Sequence, residues 1–398
     1  MRNRAFSRAW LMSFLGGSLV ACGSGPVTSM PDGGGNTDPV LYDDLAPTCA
    51  MSCAAGTIAT ACTCTPVTFG AGHDTTRTSC ASITGGRART PERDYCLDGA
   101  SGTAPDLSCM MTPPAHAMSY ASCSDPGARC VTLYGLVDIF ANGGDSNNIT
   151  VEVFREGPSG ALGDMVGSYV STTGMESGAT ASCAEEEIEV DSSGTPTNEM
   201  RRLGFYHIEN VPTETPLIVR TRGEGGLWSP LVTYNFRILD AEVAPIRSGF
   251  SPCISGAPTG DGFFYRARVL SHDDYGTIPL TAGLASGIAP GHGAIAGEVH
   301  DCGDVRVSLA QVGISPAPRA RVYFNDIADN PLPAVGQIQG TSLLGLYSGL
   351  DLPPGPVDVA AIGYVDGQTV SLGWYHAQIF ADSVTAVTLR GIRASQVP

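Results

Sequence analysis

Past residue 130 the apolar positions fall in short runs rich in β-branched and aromatic residues, cut apart by Gly, Asn, Pro and Ser. "VTLYGLVDIF", "ITVEVFRE", "LIVRTRG" and "LVTYNFRIL" come first; "GAIAGEVHD", "ARVYFND", "VDVAAIGY", "HAQIFAD" and "VTAVTLRGI" follow. Each is the length of a strand, and none carries a helical period over a convincing length, so the pattern predicts a mainly β body. Before residue 130 the pattern is different. Segments such as "CAAGTIATACTCT" and "CLDGASGTAPDLSC" are small and polar and offer little to a hydrophobic core.

The β region contains an internal repeat. Gly204-Phe205-Tyr206 leads over seven residues to Val211-Pro212 and then to Pro216-Leu217-Ile218-Val219. Gly345-Leu346-Tyr347 leads by the same spacing to Leu352-Pro353 and then to Pro356-Val357-Asp358-Val359. Upstream, Gly135-Leu136-Val137-Asp138 answers to Gly297-Glu298-Val299-His300. The offsets are 141 residues for the downstream part and 162 for the upstream part, so the copies differ by loop insertions. The glycine permits close backbone approach, the tyrosine carries one polar tip on a buried ring, and the proline ends strand pairing at a turn.

These residues resemble the carboxypeptidase-regulatory or transthyretin-like β-sandwich family, with its "G-x-V" opening strand and its "G-x-Y/F" strand ending in "V/L-P-P-G". "GLYSGLDLPPGPVDVAA" fits that pattern closely; the first copy has Thr213 and Glu214 where the second has Pro354 and Gly355. The resemblance implies two tandem Ig-like or transthyretin-like β-sandwiches preceded by a disulfide-rich, loop-rich segment. Modules of this kind usually serve as accessory or surface domains, so the resemblance speaks to fold and hardly to activity. The expected organisation is a signal peptide at 1–21, a tether at 22–48, a cysteine-rich segment at 49–130, a first module at 131–245, a connecting region at 246–289 and a second module at 290–398.

The amino terminus decides the compartment. Arg2, Arg4 and Arg8 precede an apolar run from Ala9 to Ala21, the arrangement of a secretory signal, and the run is too short to span a bilayer. Leu19-Val20-Ala21-Cys22-Gly23 resembles the lipobox of bacterial lipoproteins, which implies acyl chains on Cys22, a membrane as partner, and a lipid-anchored place in the cell envelope. Ser24, where an inner-membrane retention aspartate would stand, implies the outer membrane. Residues 23–48 are rich in Gly, Pro, Ser and Asp and read as a flexible tether.

Thirteen cysteines become twelve once Cys22 is set aside, an even number suited to disulfides. Nine of them, Cys49, Cys53, Cys62, Cys64, Cys80, Cys96, Cys109, Cys123 and Cys130, crowd the amino-terminal segment, where cross-links must replace a core. Cys183, Cys253 and Cys302 lie beyond it. Odd numbers on the two sides require at least one bond between them; Cys253 and Cys302 flank the inter-module stretch and are the expected pair, leaving Cys183 to cross. Zinc is disfavoured, because no Cys-x2-Cys pair occurs and His73 and His116 lack a partner at ligand spacing.

Charge narrows function further. The chain carries −17 at pH 7, and losing the three signal arginines takes it to −20, so nucleic acid is a poor partner. All 22 basic residues are arginine, which excludes a phosphate-loop lysine, a Schiff-base lysine and a Ser-x-x-Lys pair. No H-E-x-x-H is present, and no G-x-S-x-G outside the signal. His272-Asp273-Asp274 and His300-Asp301-Cys302 are the best polar clusters; a strand end and a turn explain the second without chemistry. Glu185 to Asp191 alternates with Ile188 and Val190, which fits a half-buried strand with an acidic outer face better than a calcium site. Trp228, in the loop "GEGGLWSP", is a candidate ligand contact, with packing on its own module as the plainer reading. The sequence therefore points to a non-enzymatic envelope protein for adhesion or scaffolding, with no cofactor or metal and an unknown envelope or extracellular partner. The alternative is a carbohydrate- or peptide-binding accessory module.

Overall fold

The computed structural model describes residues 122–140, 145–174, 182–190, 196–223, 226–254, 260–301, 306–307, 310–316, 318, 322–325, 332–335, 340–341, 345–365 and 368–390, with three short strands nearer the amino terminus. The signal, Cys22, the tether, and Cys49, Cys53, Cys62, Cys80, Cys96, Cys109 and Cys302 lie outside the described residues. The chain is mainly β. Its first three strands are β1 (Thr57–Thr60), β2 (Thr63–Pro66) and β3 (Arg87–Arg89). The first copy then contributes β4 (Cys130–Phe140), β5 (Thr150–Glu156), β6 (Leu162–Val170), β7 (Glu185–Val190), β8 (Pro196–Leu203) and β9 (Phe205–Pro212). It continues with β10 (Leu217–Arg222), β11 (Trp228–Ser229), β12 (Leu231–Phe236) and β13 (Ala244–Pro245).

The connecting region, whose role the sequence leaves open, supplies β14 (Asp261–Phe264), β15 (Ala267–Ser271) and the helix α1 (His272–Thr281). Both of its strands run parallel to β4, on the side opposite β9, so this stretch completes the first copy's opening sheet. Ser271 caps the helix by accepting from the Asp274 amide. The second copy holds β16 (Gly293–Glu298), β17 (Gln311–Ser315), β18 (Val322–Phe324), β19 (Leu346–Leu352), β20 (Gly355–Val365), β21 (Gln368–Ile379) and β22 (Val384–Val387).

The repeat read from the sequence is a repeat of geometry. In each copy the opening glycine stands opposite the tyrosine on the antiparallel neighbour, Gly135 to Tyr206 and Gly297 to Tyr347. A Cβ on Gly135 would lie 1.9 Å from the Tyr265 carbonyl oxygen, and one on Gly297 would lie 1.7 Å from that of Val387. The same two carbonyls accept the tyrosine hydroxyls, Tyr206 to Tyr265 at 3.0 Å and Tyr347 to Val387 at 2.8 Å. A side chain on either glycine would push away the carbonyl its tyrosine binds. A left-handed residue precedes the proline turn in both copies, Asn210 (φ 58°) and Asp351 (φ 63°), a conformation Asx side chains tolerate. The first copy's departure at its turn is accommodated by Glu214, also left-handed (φ 53°), whose carboxylate pairs with Arg237 and accepts the Asp240 amide.

Strands of the two copies meet in one eight-stranded sheet, ordered β18-β19-β16-β22-β12-β10-β5-β6. The join is the parallel pair β12–β22, Leu231 opposite Val384 and Tyr234 opposite Val387. The inner part of this sheet is buried on both faces, which accounts for unbroken apolar runs where alternation would mark a half-exposed strand. Leu217 and Val219 face one core with Leu133 and Val137 of β4; Ile218 between them faces a second core with Tyr234, Tyr375 and Val359. The sheet β17-β20-β21 closes that second core.

Among the described residues two disulfides are seen, Cys123–Cys130 and Cys183–Cys253, with Cα separations of 5.8 and 6.0 Å. The second corrects the expected Cys253–Cys302 pair: Cys183 and Cys253 sit together in a small core with Phe205 and Phe250. The amino-terminal segment meets the β region by strand contact, β3 pairing in parallel with β7 and β1 lying beside β20. Among the described residues, no helix is long and apolar enough to cross a membrane.

Candidate functional site

The strands β19, β16, β22 and β12 each turn alternate residues to one face, and these form rows across the sheet. Leu350, Ala294, Val384 and Leu231 make an apolar row; Ser348, Ala296, Ala386 and Thr233 make a row of small side chains; Leu346, Glu298 and Thr388 come next, then His300 and Arg390. Because the second row is so small, the face is hollow there. The hollow is a cavity of about 890 Å³. Its far wall comes from the first copy and its completing strand, through Asp138, Phe140, Arg266, Arg268 and Leu270, and α1 covers one end with Tyr275, Ile278 and Pro279.

The other end is charged. Glu298 accepts from His300 Nε2 at 2.6 Å and Arg306 Nη2 at 2.9 Å on its own copy, and from Arg268 Nη1 on β15 at 3.3 Å. Burial works to raise the Glu298 carboxyl, but Arg306, His300 and Arg268 together outweigh it and hold it well below the carboxylate range. Glu298 is therefore an anion bound to both copies. Beside it, Arg266 lies 3.6 Å from buried Asp138 and 3.0 Å from Glu185 of β7. Among the described residues that line the cavity, the ionised side chains are Arg266, Arg268, Arg306 and Arg390 with Asp138 and Glu298, and Arg266 is further paired with Glu185 outside the lining. Such a site can hold charge at one end and cover apolar surface at the other.

A second polar cluster sits where β21 meets the first copy. The Tyr375 hydroxyl donates to Glu156, Tyr234 donates to the Gly160 carbonyl at 2.7 Å, and Gln378 donates to that of Ser159 at 2.6 Å. Burial raises the Glu156 carboxyl to about 7 against the opposing effects of Tyr375 and His376. This cluster fastens the copies together.

Of the residues singled out from sequence, His300 is in the cavity, but its partner is Glu298 two positions back on the same strand face. His272 lies at the start of α1, 3.3 Å from the Ser229 hydroxyl, and Asp274 answers the Ser271 cap. Trp228 pairs in β11 with Ser271, presses on Gly223 and packs on the first copy's core, apart from the cavity. Glu185 and Glu186 are on a strand and pair with Arg266 and Arg202. Among the described residues, no group of three or more His, Cys, Asp or Glu side chains is placed to hold a metal ion. The row Ser348, Ala296, Ala386 and Thr233 was not flagged by sequence. Its trace there is the small-residue alternation in "GAIAGE" and "VTAV".

No family model matches the chain, and no curated protein matches it. Among solved structures, the Bacillus anthracis TIE protein is similar over 66% of this chain and 33% of its own, at 8% identity and a TM-score of 0.18. The chain thus spans about a third of that protein's length. A variant of the shaft pilin SpaA from Lactobacillus rhamnosus GG is similar over 66% of this chain and 98% of its own, at 7% identity and a TM-score of 0.15. Likenesses this low carry no argument about function.

Proposed function

We propose that this chain is a non-enzymatic, lipid-anchored protein of the cell envelope, built on two sandwiches of the carboxypeptidase-regulatory or transthyretin-like type, which works by holding a ligand between them. The observation that carries the binding part is the cavity of about 890 Å³, floored by β19, β16 and β22 of the second copy together with β12 of the first, and walled on its far side by the first copy. The matched Gly–Tyr pairs support reading the copies as modules of one type, Leu19 to Gly23 supports the anchor, and Ser24 supports an outer-membrane place. The shared eight-stranded sheet favours a second reading, a stiff scaffold or adhesin, since a parallel strand pair joins the copies more rigidly than a linker.

Native mass spectrometry of the protein purified from envelope membranes tests the binding reading. A mass retained under gentle conditions and released on unfolding is the expected result. A chain that carries nothing, and whose melting temperature no envelope extract moves, would return the reading to the scaffold.

A further inference from the structure

The cavity is not enclosed evenly. Its floor is four strands held in ladders and its far wall leans on β4 and β15, but one end is closed by α1, a ten-residue helix in which only Asp274 and Pro279 are buried. We infer that α1 is the door of the cavity, opening locally while the sheet beneath it stays folded; this concerns how a ligand enters and leaves, and it rests on the binding reading above. The sequence of α1 suits a helix that comes undone. Gly276 lacks the helix preference of alanine, and a Cβ there would meet open space, so packing does not require the glycine. Pro279 has no N–H for the Tyr275 carbonyl one turn back, which removes a rung from the helix ladder.

The helix is slung between two fixed points. At its start the His272 amide donates to the Leu227 carbonyl at 2.8 Å and the imidazole meets the Ser229 hydroxyl, both on the first copy. Past its end, Ala282, Leu284 and Ile288 pack with Tyr323 and Leu350 of the second copy, and the Ala289 amide donates to Asp351 at 2.7 Å. Between these points, among the described residues, 275–281 send one hydrogen bond to a partner outside the helix and its cap, from the Tyr275 hydroxyl to the His292 carbonyl at 3.3 Å. Thr277 and Thr281 turn their hydroxyls back to the Asp274 and Ile278 carbonyls of the helix itself. Tyr275, Ile278 and Pro279 face the cavity, and Leu280 is half exposed. A segment with so little buried and a single latch belongs at the low-stability end of a fold, where local opening precedes global unfolding.

Hydrogen exchange of the intact protein, read by mass spectrometry, tests the opening, and Nile red, a neutral dye that fluoresces in apolar surroundings, tests the passage. Amides of residues 276–281 should exchange on the order of a hundredfold faster than those of β16 and β22, through an opening that low denaturant does not speed. Gly276→Ala should make that opening about fivefold rarer. Stopped-flow mixing with the dye should then show entry and exit both slowed about fivefold at unchanged equilibrium affinity, because a door alters the rates and not the end states. Tyr275→Phe, which releases the latch, should speed both. Amides of α1 as slow as those of β16, or dye rates that Gly276→Ala leaves unmoved, would overturn the inference and leave the binding reading standing. A dye that does not bind at all overturns the binding reading, and the door with it.

Discussion

Gly297→Ala is the sharpest single perturbation of this fold. The new Cβ would lie 1.7 Å from the Val387 carbonyl oxygen and 2.8 Å from the Tyr347 hydroxyl, and the nearer atom is backbone, which no rotamer change can move. Relief requires β22 to part from β16, yet β22 is held on its other side by β12 of the first copy. Overpacking a tight core costs about 1–3 kcal/mol. Weakening a buried hydroxyl bond and one or two ladder bonds adds about 1 kcal/mol apiece. We expect roughly 3–6 kcal/mol in all, a fall in melting temperature on the order of 10 °C for a body of this size. Tyr347→Phe removes only the hydroxyl and leaves the Val387 carbonyl facing a ring, so it should cost about 1–2 kcal/mol. Gly135→Ala should repeat the large effect in the first copy, where the clash with Tyr265 is at 1.9 Å. Gly249→Ala, with open space around it, is the control and should be silent. Differential scanning calorimetry of the four variants decides the matter. If Gly297→Ala melts within a degree or two of the parent, the glycine is not there for close approach, and the physical reading of the repeat is wrong.

Three further outcomes follow from other parts of the chain. Cys22→Ser should move the protein from the detergent phase to the aqueous phase of a cell fractionation without changing its melting temperature; identical partitioning would end the lipid-anchor reading. With Cys183 bound to Cys253 and Cys123 to Cys130, seven amino-terminal cysteines and Cys302 remain, so full pairing puts the crossing bond on Cys302. Non-reducing peptide mapping should link the Cys302 peptide to one between Cys49 and Cys109, and a free thiol at Cys302 would contradict it. The Glu156 carboxyl, raised to about 7 from an ordinary 4.5, makes the folded chain bind its proton more tightly than the unfolded chain does. That stability is fully present below pH 4.5 and is lost as pH rises to about 7, by about 2 kcal/mol allowing for solvent at a partly exposed group. Denaturant titrations across this range should show the slope in the parent and a flatter profile in Glu156→Gln; parallel profiles would refute the assignment.

What could be read from the sequence, and what could not, divides by the range of the interaction. The Gly-x-Tyr motifs were legible because the seven-residue steps from Gly204 to Val211 and from Gly345 to Leu352 follow a single strand, whose spacing is written locally; that Gly135 and Gly297 stand opposite the tyrosines was not. The left-handed Asn210 and Asp351 before the turns came from the structure. The parallel pairs β12–β22, β4–β14 and β4–β15 were not legible either, since no turn connects their members and nothing local records the register. The helix α1 was hidden by Gly276 and by Pro279 within its ten residues, and its apolar residues form no clear stripe. Disulfide partners are not given by spacing at all, which is why Cys183–Cys253 displaced the pair expected from proximity to the connecting stretch.

The candidate site was half visible for the same reason. His300 drew notice beside Asp301 and Cys302, its neighbours in sequence, but a strand turns successive residues to opposite faces, so its chemistry lies with residues two apart. Applied to "GAIAGEVH", that rule sets Ala294, Ala296, Glu298 and His300 on one face and Ile295, Gly297 and Val299 on the other. The second set is core or close-packed backbone. The first set goes from small and apolar to charged along one line, which a sheet face covered by a second layer of large side chains would have no reason to do. What the sequence lacks is Arg268, brought to Glu298 from the other copy by strands that pair across more than a hundred residues. A site assembled at a junction of repeats needs the junction before it can be seen, and the parallel pair β12–β22 is what supplies it.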